Sequence, residues 1–204
     1  VVIKAMYQAV GSMGFTSGNI LEPACGVGNF FGLLPEEMSE SKLYGVELDG
    51  ISGRIAKLLY PNARIDITGY EKAGFPDDFF DLAIGNVPFG QYQVNDPEYN
   101  KLGFSIHNYF MAKSLDKVRP GGILAFITTR YTMDSQSTDV REYLAARADL
   151  LGAVRLPDNA FKANANTEVV SDILFLQKRD TLADEIPDWV HTEENTDGFI
   201  INSY

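Results

Sequence analysis

The first chemically informative residues form a turn that follows an apolar run of strand length. This turn reads Asn86, Val87, Pro88, Phe89 and Gly90. Asn, Pro and Gly are common in turns of any kind, so a plain structural turn is one interpretation. Open α/β sheets, however, bind ligands at the carboxyl ends of their strands. There the turn supplies an amide oxygen, a backbone carbonyl and an aromatic face, which together fit a planar group that carries an NH2.

A second motif places two glycines directly after a short strand. Gly26 and Gly28 let the backbone approach a ligand closely, and a helix is expected to begin after them. The third glycine of a dinucleotide-binding fingerprint is absent, since Phe31 occupies its position. Glu22 and Pro23 precede the glycines, and a carboxylate there suits a ligand with positive charge or several donors rather than a phosphate. Alone, the motif is also compatible with a tight strand-to-helix turn.

A third acidic position lies at the end of the next predicted strand. Glu47 follows Gly26 by 21 residues. A carboxylate about 20 residues after a glycine turn is the position that binds a ribose diol in nucleotide-binding folds. A surface acid at a strand end is the alternative. With the glycine turn, Glu47 favours a cofactor that contains a nucleoside.

The elements that must position these residues alternate along the chain, which predicts an α/β fold with a mostly parallel sheet. The last two predicted strands are close enough in sequence to pair as an antiparallel hairpin with a long loop. The predicted strands are 19–23, 42–47, 63–68, 80–85, 123–128, 151–156 and 173–177, and the predicted helices are 1–11, 30–34, a segment through 55–59, 105–118 and 139–147.

Taken in order, the two motifs resemble those of the S-adenosylmethionine-dependent DNA adenine-N6 methyltransferases. The stretch from Leu21 to Phe30 resembles their cofactor motif, and Asn86 to Phe89 resembles their Asn/Asp-Pro-Pro-Tyr/Phe motif. The order of the motifs is that of the gamma group and of type I modification subunits. The stretches Asp96 to Lys101 and Phe104 to Phe110 are similar to the methylase portion of the large helicase-methylase proteins of bacterial mobile elements and phages. The resemblance covers about residues 1–179.

The resemblance implies a Rossmann-like methyltransferase fold, S-adenosylmethionine as cofactor and a role for each matching residue. Glu22 would face the methionine ammonium and Glu47 the ribose hydroxyls. Asn86 and the carbonyl of Val87 or Pro88 would accept from the adenine N6 amine, while Phe89 would stack on the extruded base. The implied cofactor-binding residues are Glu22, Pro23, Ala24, Cys25, Gly26, Gly28, Asn29, Phe30, Glu47, Leu48, Tyr70 and Asn86, and the implied catalytic residues are Asn86, Val87, Pro88 and Phe89.

Four features depart from the family pattern. Val87 replaces the usual first proline, and the segment Thr68 to Glu71 has no obvious counterpart of the acid that binds the cofactor adenine, so Tyr70 is assigned there. The aromatic-Thr-Pro cofactor segment of the family would precede Val1, and a target-recognition domain is not evident. The chain is therefore expected to be the catalytic part of a larger protein.

Composition and charge set further limits. The formal net charge is −11, with 17 basic and 28 acidic residues, which argues against a basic protein that coats nucleic acid. Seven of the acids lie after Arg179, a stretch with no Lys or Arg, so residues 1–179 are predicted as the catalytic domain and 180–204 as an acidic extension or linker. A single cysteine and the lack of a secretory signal at the start of the given sequence favour a cytoplasmic protein, and the family resemblance implies a bacterial or phage source. The apolar runs are too short to span a membrane, and two histidines and one cysteine predict no metal site.

The expected partner is DNA, reached through a recognition or helicase segment outside this chain. If the chain recognised DNA alone, the loops 91–102 and 161–168 would be the candidates. Two other functions stay open at this stage: methylation of a protein glutamine or an RNA base, and a silent module that keeps the cofactor fold.

Overall fold

The computed structural model describes residues 1–158, 160 and 170–204. The helices are α1 (Val2–Ser12), α2 (Gly50–Leu59), α3 (Ile106–Lys117), α4 (Tyr131–Asp134) and α5 (Asp139–Ala145). The strands are β1 (Asn19–Glu22), β2 (Lys42–Glu47), β3 (Arg64–Ile67), β4 (Phe80–Asn86), β5 (Val118–Thr129), β6 (Ala148–Leu156), β7 (Ser171–Lys178), β8 (Thr192–Glu194) and β9 (Ile200–Asn202).

Seven strands form one sheet in the order β3-β2-β1-β4-β5-β7-β6. The five strands from β3 to β5 pair in parallel, whereas β7 pairs antiparallel with both β5 and β6. The predicted mostly parallel, seven-stranded Rossmann-like fold with an antiparallel C-terminal hairpin is confirmed. The order of the strands reverses beside β1, since β2 and β3 follow on one side of it and β4 and β5 on the other. This switch point opens a crevice at the carboxyl ends of the strands, and the candidate site lies there.

The sheet is buried on both faces, as the apolar sequence of β4 predicts. On one face Leu21 and Ala83 join a core that includes Phe110 and Leu115 of α3. On the other face Ile20, with Leu82 and Ile84 of β4, packs with Tyr7 and Val10 of α1. Packing on both faces of the sheet holds β1 and β4 rigidly. Residues at the ends of these strands therefore have fixed positions.

Two predicted element boundaries are wrong. The helix expected at 30–34 is only a 3-10 turn, Phe31–Leu33, because Pro35 follows at once and cannot continue a helix. No α-helix N-terminus therefore follows the glycine turn. Strand β5 begins at Val118 rather than Ile123, since a shift in the pairing register between β4 and β5 accommodates the segment Pro120 to Gly122 within the strand.

Part of the acidic C-terminal segment packs against the rest of the chain. Trp189 and Val190 are buried, and Arg141, which is fully buried, donates from Nε to the carbonyl of Val190 at 2.6 Å. Strands β8 and β9 form a small antiparallel sheet in this segment. The division of the chain at residue 179 and the role of 180–204 as a linker stay predictions. No helix in the described ranges is long and apolar enough to cross a bilayer.

Candidate functional site

A cavity of about 810 Å³ lies at the carboxyl ends of β1, β2, β3 and β4, within the usual size range of small-molecule sites. It brings together nine of the predicted site residues: Pro23, Ala24, Glu47, Leu48, Tyr70, Asn86, Val87, Pro88 and Phe89. The motifs that were separate in sequence therefore share one crevice, because the parallel strands that carry them end at the same edge of the sheet.

The turn after β4 presents its polar and aromatic groups to this cavity. Asn86, the last residue of β4, is exposed, and Phe89 is 37% exposed at the opening. Val87 is buried between them, and its N–H donates to the carbonyl of Ile127 on β5 at 3.1 Å. A proline at this position would lack that donor. Val87 thus anchors the turn to the sheet while the flanking side chains stay available.

His107 holds the end of this turn by a hydrogen bond. Its side chain is buried, Nε2 lies 2.9 Å from Ser105 Oγ, and its ring also hydrogen-bonds the backbone of Gly90. Burial lowers the pKa of His107, and the bond to Gly90 opposes this in part. The imidazole is therefore neutral near pH 7 and fixes the end of the turn.

Glu47 ties the glycine turn to the end of β2. Its Oε2 accepts from the N–H of Gly26 and its Oε1 from the N–H of Asp49, both at 2.7 Å. Each carboxylate oxygen has a second lone pair available for a ligand donor. The spacing of 21 residues that suggested a ribose site thus also has a structural basis, since the carboxylate is held in place before any ligand binds.

Glu22 carries a buried carboxylate behind the cavity. The residue is 2% exposed, and its Oε2 has no hydrogen-bond partner among the residues that the structure describes. Burial raises the pKa of Glu22 well above the ordinary value, and the nearby Glu47 carboxylate raises it further. A buried acceptor without a partner costs free energy unless a ligand satisfies it. An ammonium group, as on the methionine moiety of S-adenosylmethionine, is a donor that fits this oxygen.

The other predicted cofactor residues lie outside the lining of the cavity. These are Cys25, Gly26, Gly28, Asn29 and Phe30. Gly28 has a φ of +85°, and a Cβ there would meet the Tyr60 ring at 2.4 Å, so packing against Tyr60 explains this glycine without a ligand. The direct cofactor contacts of these five residues stay predictions.

Burial also settles the state of the single thiol. It raises the pKa of Cys25 to about 12, so the sulfur is protonated at neutral pH. A thiolate is the reactive form of cysteine. Cys25 is thus unsuited to act as a nucleophile.

Several residues that line the cavity lie outside the motifs identified in the sequence. Phe110 lies against Tyr70 with ring centroids 5.0 Å apart, and both rings line the cavity on the side of β3. A further wall comes from the loop before α3 and consists of Tyr92, Gln93, Val94 and Asn95. Helical periodicity places Phe110 in the core but does not show that the core face opens into a cavity. The predicted length of the loop 91–102 was the one signal for this wall.

Comparison with known proteins agrees with this geometry. The family model of the Eco57I restriction-modification methylase matches residues 61–161. The chain is 31% identical over 198 residues to Defense against restriction protein B of Escherichia phage P1, covering 91% of this chain and 8% of that protein. It is 27% identical over 172 residues to the type II methyltransferase M.CvrRI of Paramecium bursaria Chlorella virus XZ-6E, covering 81% of this chain and 44% of that protein. The chain thus spans less than half the length of both relatives.

The fold is also shared with solved methyltransferase structures. A modification subunit of a putative type I restriction enzyme from Vibrio vulnificus YJ016 superposes with a TM-score of 0.72 at 20% identity, over 88% of this chain and 44% of that one. This likeness establishes the methyltransferase fold. Together with the family match, it confirms the resemblance to restriction-modification methylases that the two sequence motifs predict.

Proposed function

We propose that this chain, which matches the restriction-modification methylases in sequence and the methyltransferases in fold, transfers a methyl group from S-adenosylmethionine to the N6 amine of adenine in DNA. The observation that carries the proposal is the placement of exposed Asn86 and Phe89 on the same cavity as Glu47. One end of the cavity thus offers groups that recognise an aromatic amine, and the other offers a carboxylate that suits a ribose.

S-adenosylmethionine fits the residues present. Glu47 would accept from the ribose hydroxyls, and the unpartnered Oε2 of Glu22 would accept from the ammonium group. Tyr70 and Phe110 provide an aromatic wall for the adenine moiety, where the sequence lacks the family's acid. When bound, the cofactor supplies an electrophilic methyl group.

The chain's own residues would then orient the acceptor amine. Asn86 Oδ1 and the carbonyl of Val87 or Pro88 accept from its two N–H bonds, which favours a pyramidal nitrogen whose lone pair is no longer conjugated with the ring. Phe89 stacks on the base. No covalent enzyme intermediate is needed, in agreement with the protonated state of Cys25.

DNA as the substrate implies that the target base leaves the duplex, at a cost of roughly a few kcal/mol. Recognition of a sequence is assigned to a segment outside this chain, consistent with the small share of its relatives that the chain covers. We extend the proposal to a cytoplasmic protein of a bacterium or phage, and no step as proposed requires a metal ion.

The substrate is tested by incubating the chain with radiolabelled S-adenosylmethionine and separate pools of DNA, RNA and protein. We expect label in DNA alone, recovered as N6-methyladenine after digestion. Label in protein glutamine or in RNA would replace the DNA proposal with the corresponding alternative, and no transfer together with measurable cofactor binding would indicate a silent binding module.

The role of Asn86 is tested by Asn86→Ala. Because the side chain is exposed and its proposed bonds form only with substrate, we expect unchanged folding and cofactor affinity but slower methyl transfer. Loss of one preorganised acceptor is worth about 2.7 to 4 kcal/mol, a drop of roughly a hundredfold or more in a single-turnover assay. The matched control is Asn62→Ala, an exposed turn residue away from the cavity. Retained transfer by Asn86→Ala would exclude the mechanism as drawn.

A further inference from the structure

The loop between β4 and α3 is anchored by a buried charge. Tyr92 to Asn95 line the cavity, but the next residue, Asp96, turns inward and is only 5% exposed. Its Oδ2 accepts from Lys113 Nζ at 2.7 Å and from Tyr109 Oη at 2.8 Å, both on α3. These bonds hold the pKa of Asp96 below its ordinary value although burial alone would raise it. The carboxylate is thus ionised and fully engaged below the cavity wall.

Further hydrogen bonds join the two ends of the loop to each other and the loop to α3. The Ile106 N–H donates to the Tyr92 carbonyl at 2.9 Å, and Gln93 Nε2 donates to the Gly103 carbonyl at 2.9 Å. Tyr99 Oη donates to Asp116 Oδ2 of α3 at 2.7 Å. Such a loop is a preformed wall rather than a free lid, and Asp96 is its deepest attachment.

The same lysine also lies close to a second residue that lines the cavity, Tyr70. The ammonium of Lys113 lies 5.2 Å from the ring centroid of Tyr70, and 5.7 and 5.8 Å from those of Tyr99 and Tyr109. A cation within about 6 Å of a ring face is attracted to it. Tyr70 lines the part of the cavity assigned to the cofactor, while Asp96 holds the loop. One buried cation therefore contacts groups from both walls.

We propose that Lys113 is a positioning residue for methyl transfer, which holds the loop wall 92–95 at a fixed distance from the Tyr70 wall. The inference rests on the proposed function, since that function gives the two walls a base and a cofactor to align. An apolar contact at the foot of the loop would tolerate small shifts, whereas a buried ion pair whose lysine also lies over the Tyr70 ring specifies a single arrangement. Misplacement of reacting groups by about 1 Å lowers a rate by about a hundredfold.

The test compares Lys113→Met, Asp96→Leu and the double variant in the full chain. Each single variant leaves a buried charge without a partner, so both should unfold at lower urea concentration. The double variant has no unpaired charge and should regain most of the unfolding midpoint. We expect it nevertheless to lose about a hundredfold in kcat, with a smaller change in KM, because the wall is no longer fixed. If the double variant recovers both midpoint and kcat, the ion pair is only structural and the proposal fails.

Three further variants keep the test decisive. Lys117→Met removes a lysine one turn further along α3 that pairs with Asp77 away from the cavity, and its kcat should equal that of the unmodified chain. Tyr109→Phe removes one bond to Asp96 and keeps the ion pair. Its kcat should therefore be normal, and a hundredfold loss in a stably folded Tyr109→Phe would assign the positioning to Tyr109 and overturn the proposal. If the double variant does not fold, Lys113→Arg replaces it, because arginine keeps the charge but changes the geometry of the ion pair. A reduced kcat in a folded Lys113→Arg then supports the proposal, and a normal kcat overturns it.

A failure of the proposed function is distinguishable. If the unmodified chain does not methylate DNA, the rate of hydrogen exchange at the backbone amides of residues 92–95 is measured instead of kcat. S-adenosylmethionine is added to every sample in this measurement. Faster exchange in the double variant than in Lys117→Met then supports positioning of the loop by Lys113. Equal exchange overturns it.

Discussion

Glu47 is held by the fold in the position that its proposed contact with the cofactor requires. Its two oxygens hold the N–H groups of Gly26 and Asp49, so the side chain is oriented before the cofactor arrives. We expect Glu47→Ala to weaken S-adenosylmethionine binding by about 1 to 3 kcal/mol, because charge-assisted bonds to the ribose are lost. Isothermal titration calorimetry measures this.

The control for Glu47→Ala is Asp49→Ala. Asp49 caps α2 by accepting from the Ser52 N–H and does not line the cavity, so its removal should lower stability without changing cofactor affinity. Unchanged affinity in a folded Glu47→Ala variant would remove Glu47 from the cofactor site.

The buried carboxyl group of Glu22 predicts that both stability and cofactor binding depend on pH. Its folded-state pKa is raised by burial, so the folded chain binds the proton more tightly than the unfolded chain does. The resulting stabilisation is complete below the ordinary Glu pKa and is lost as pH rises through the folded-state pKa. A bound ammonium group reverses the preference and favours the ionised carboxylate. We therefore expect cofactor binding to release a proton from Glu22.

Calorimetry in two buffers of different ionisation enthalpy measures this proton release. Glu22→Gln should abolish it and should also remove the decline of stability with rising pH in the cofactor-free chain. The same proton release in Glu22→Gln would assign the proton to another group and separate Glu22 from the ammonium.

In the turn after β4, a backbone hydrogen bond takes the place of the proline that the family usually has. Val87 occupies the position of the usual proline and donates its N–H to the carbonyl of Ile127. We expect Val87→Pro to destabilise the chain by about 1 to 3 kcal/mol, because it leaves a buried carbonyl without that donor. Urea unfolding measures this. Val87→Ala keeps the N–H and serves as the control for lost side-chain packing; if Val87→Pro is no less stable than Val87→Ala, the hydrogen bond does not hold the turn.

The whole molecule is acidic, which is unfavourable for a protein that acts on DNA. With a formal net charge of −11, it should repel a duplex at long range, since neutralising phosphates requires clustered Lys and Arg. We expect this chain alone to bind duplex DNA with a dissociation constant no tighter than about 10⁻⁵ M at physiological salt. Fluorescence anisotropy at fixed salt tests this. Tight, sequence-selective binding would show that the chain recognises DNA by itself, through the loop 91–102 or through 161–168, which lies outside the described residues.

The sequence by itself determined the fold class, the strand that carries Asn86 and the position of Glu47 at the end of β2. These depend on local patterns: apolar runs mark buried strands, and Gly, Pro and Asn mark the turns where strands end. Strand β2 has the bounds that its sequence predicts.

Only the tertiary structure decided which charged residues are buried and what they bind. Asp96, Lys113 and Arg141 look like ordinary polar residues in the sequence, yet each is almost fully buried and joins segments far apart in the chain. The packing of Trp189 has the same origin. Burial depends on what the rest of the chain places around a residue, and a charged side chain has the same local sequence pattern whether its partner is water or a carboxylate 17 residues away.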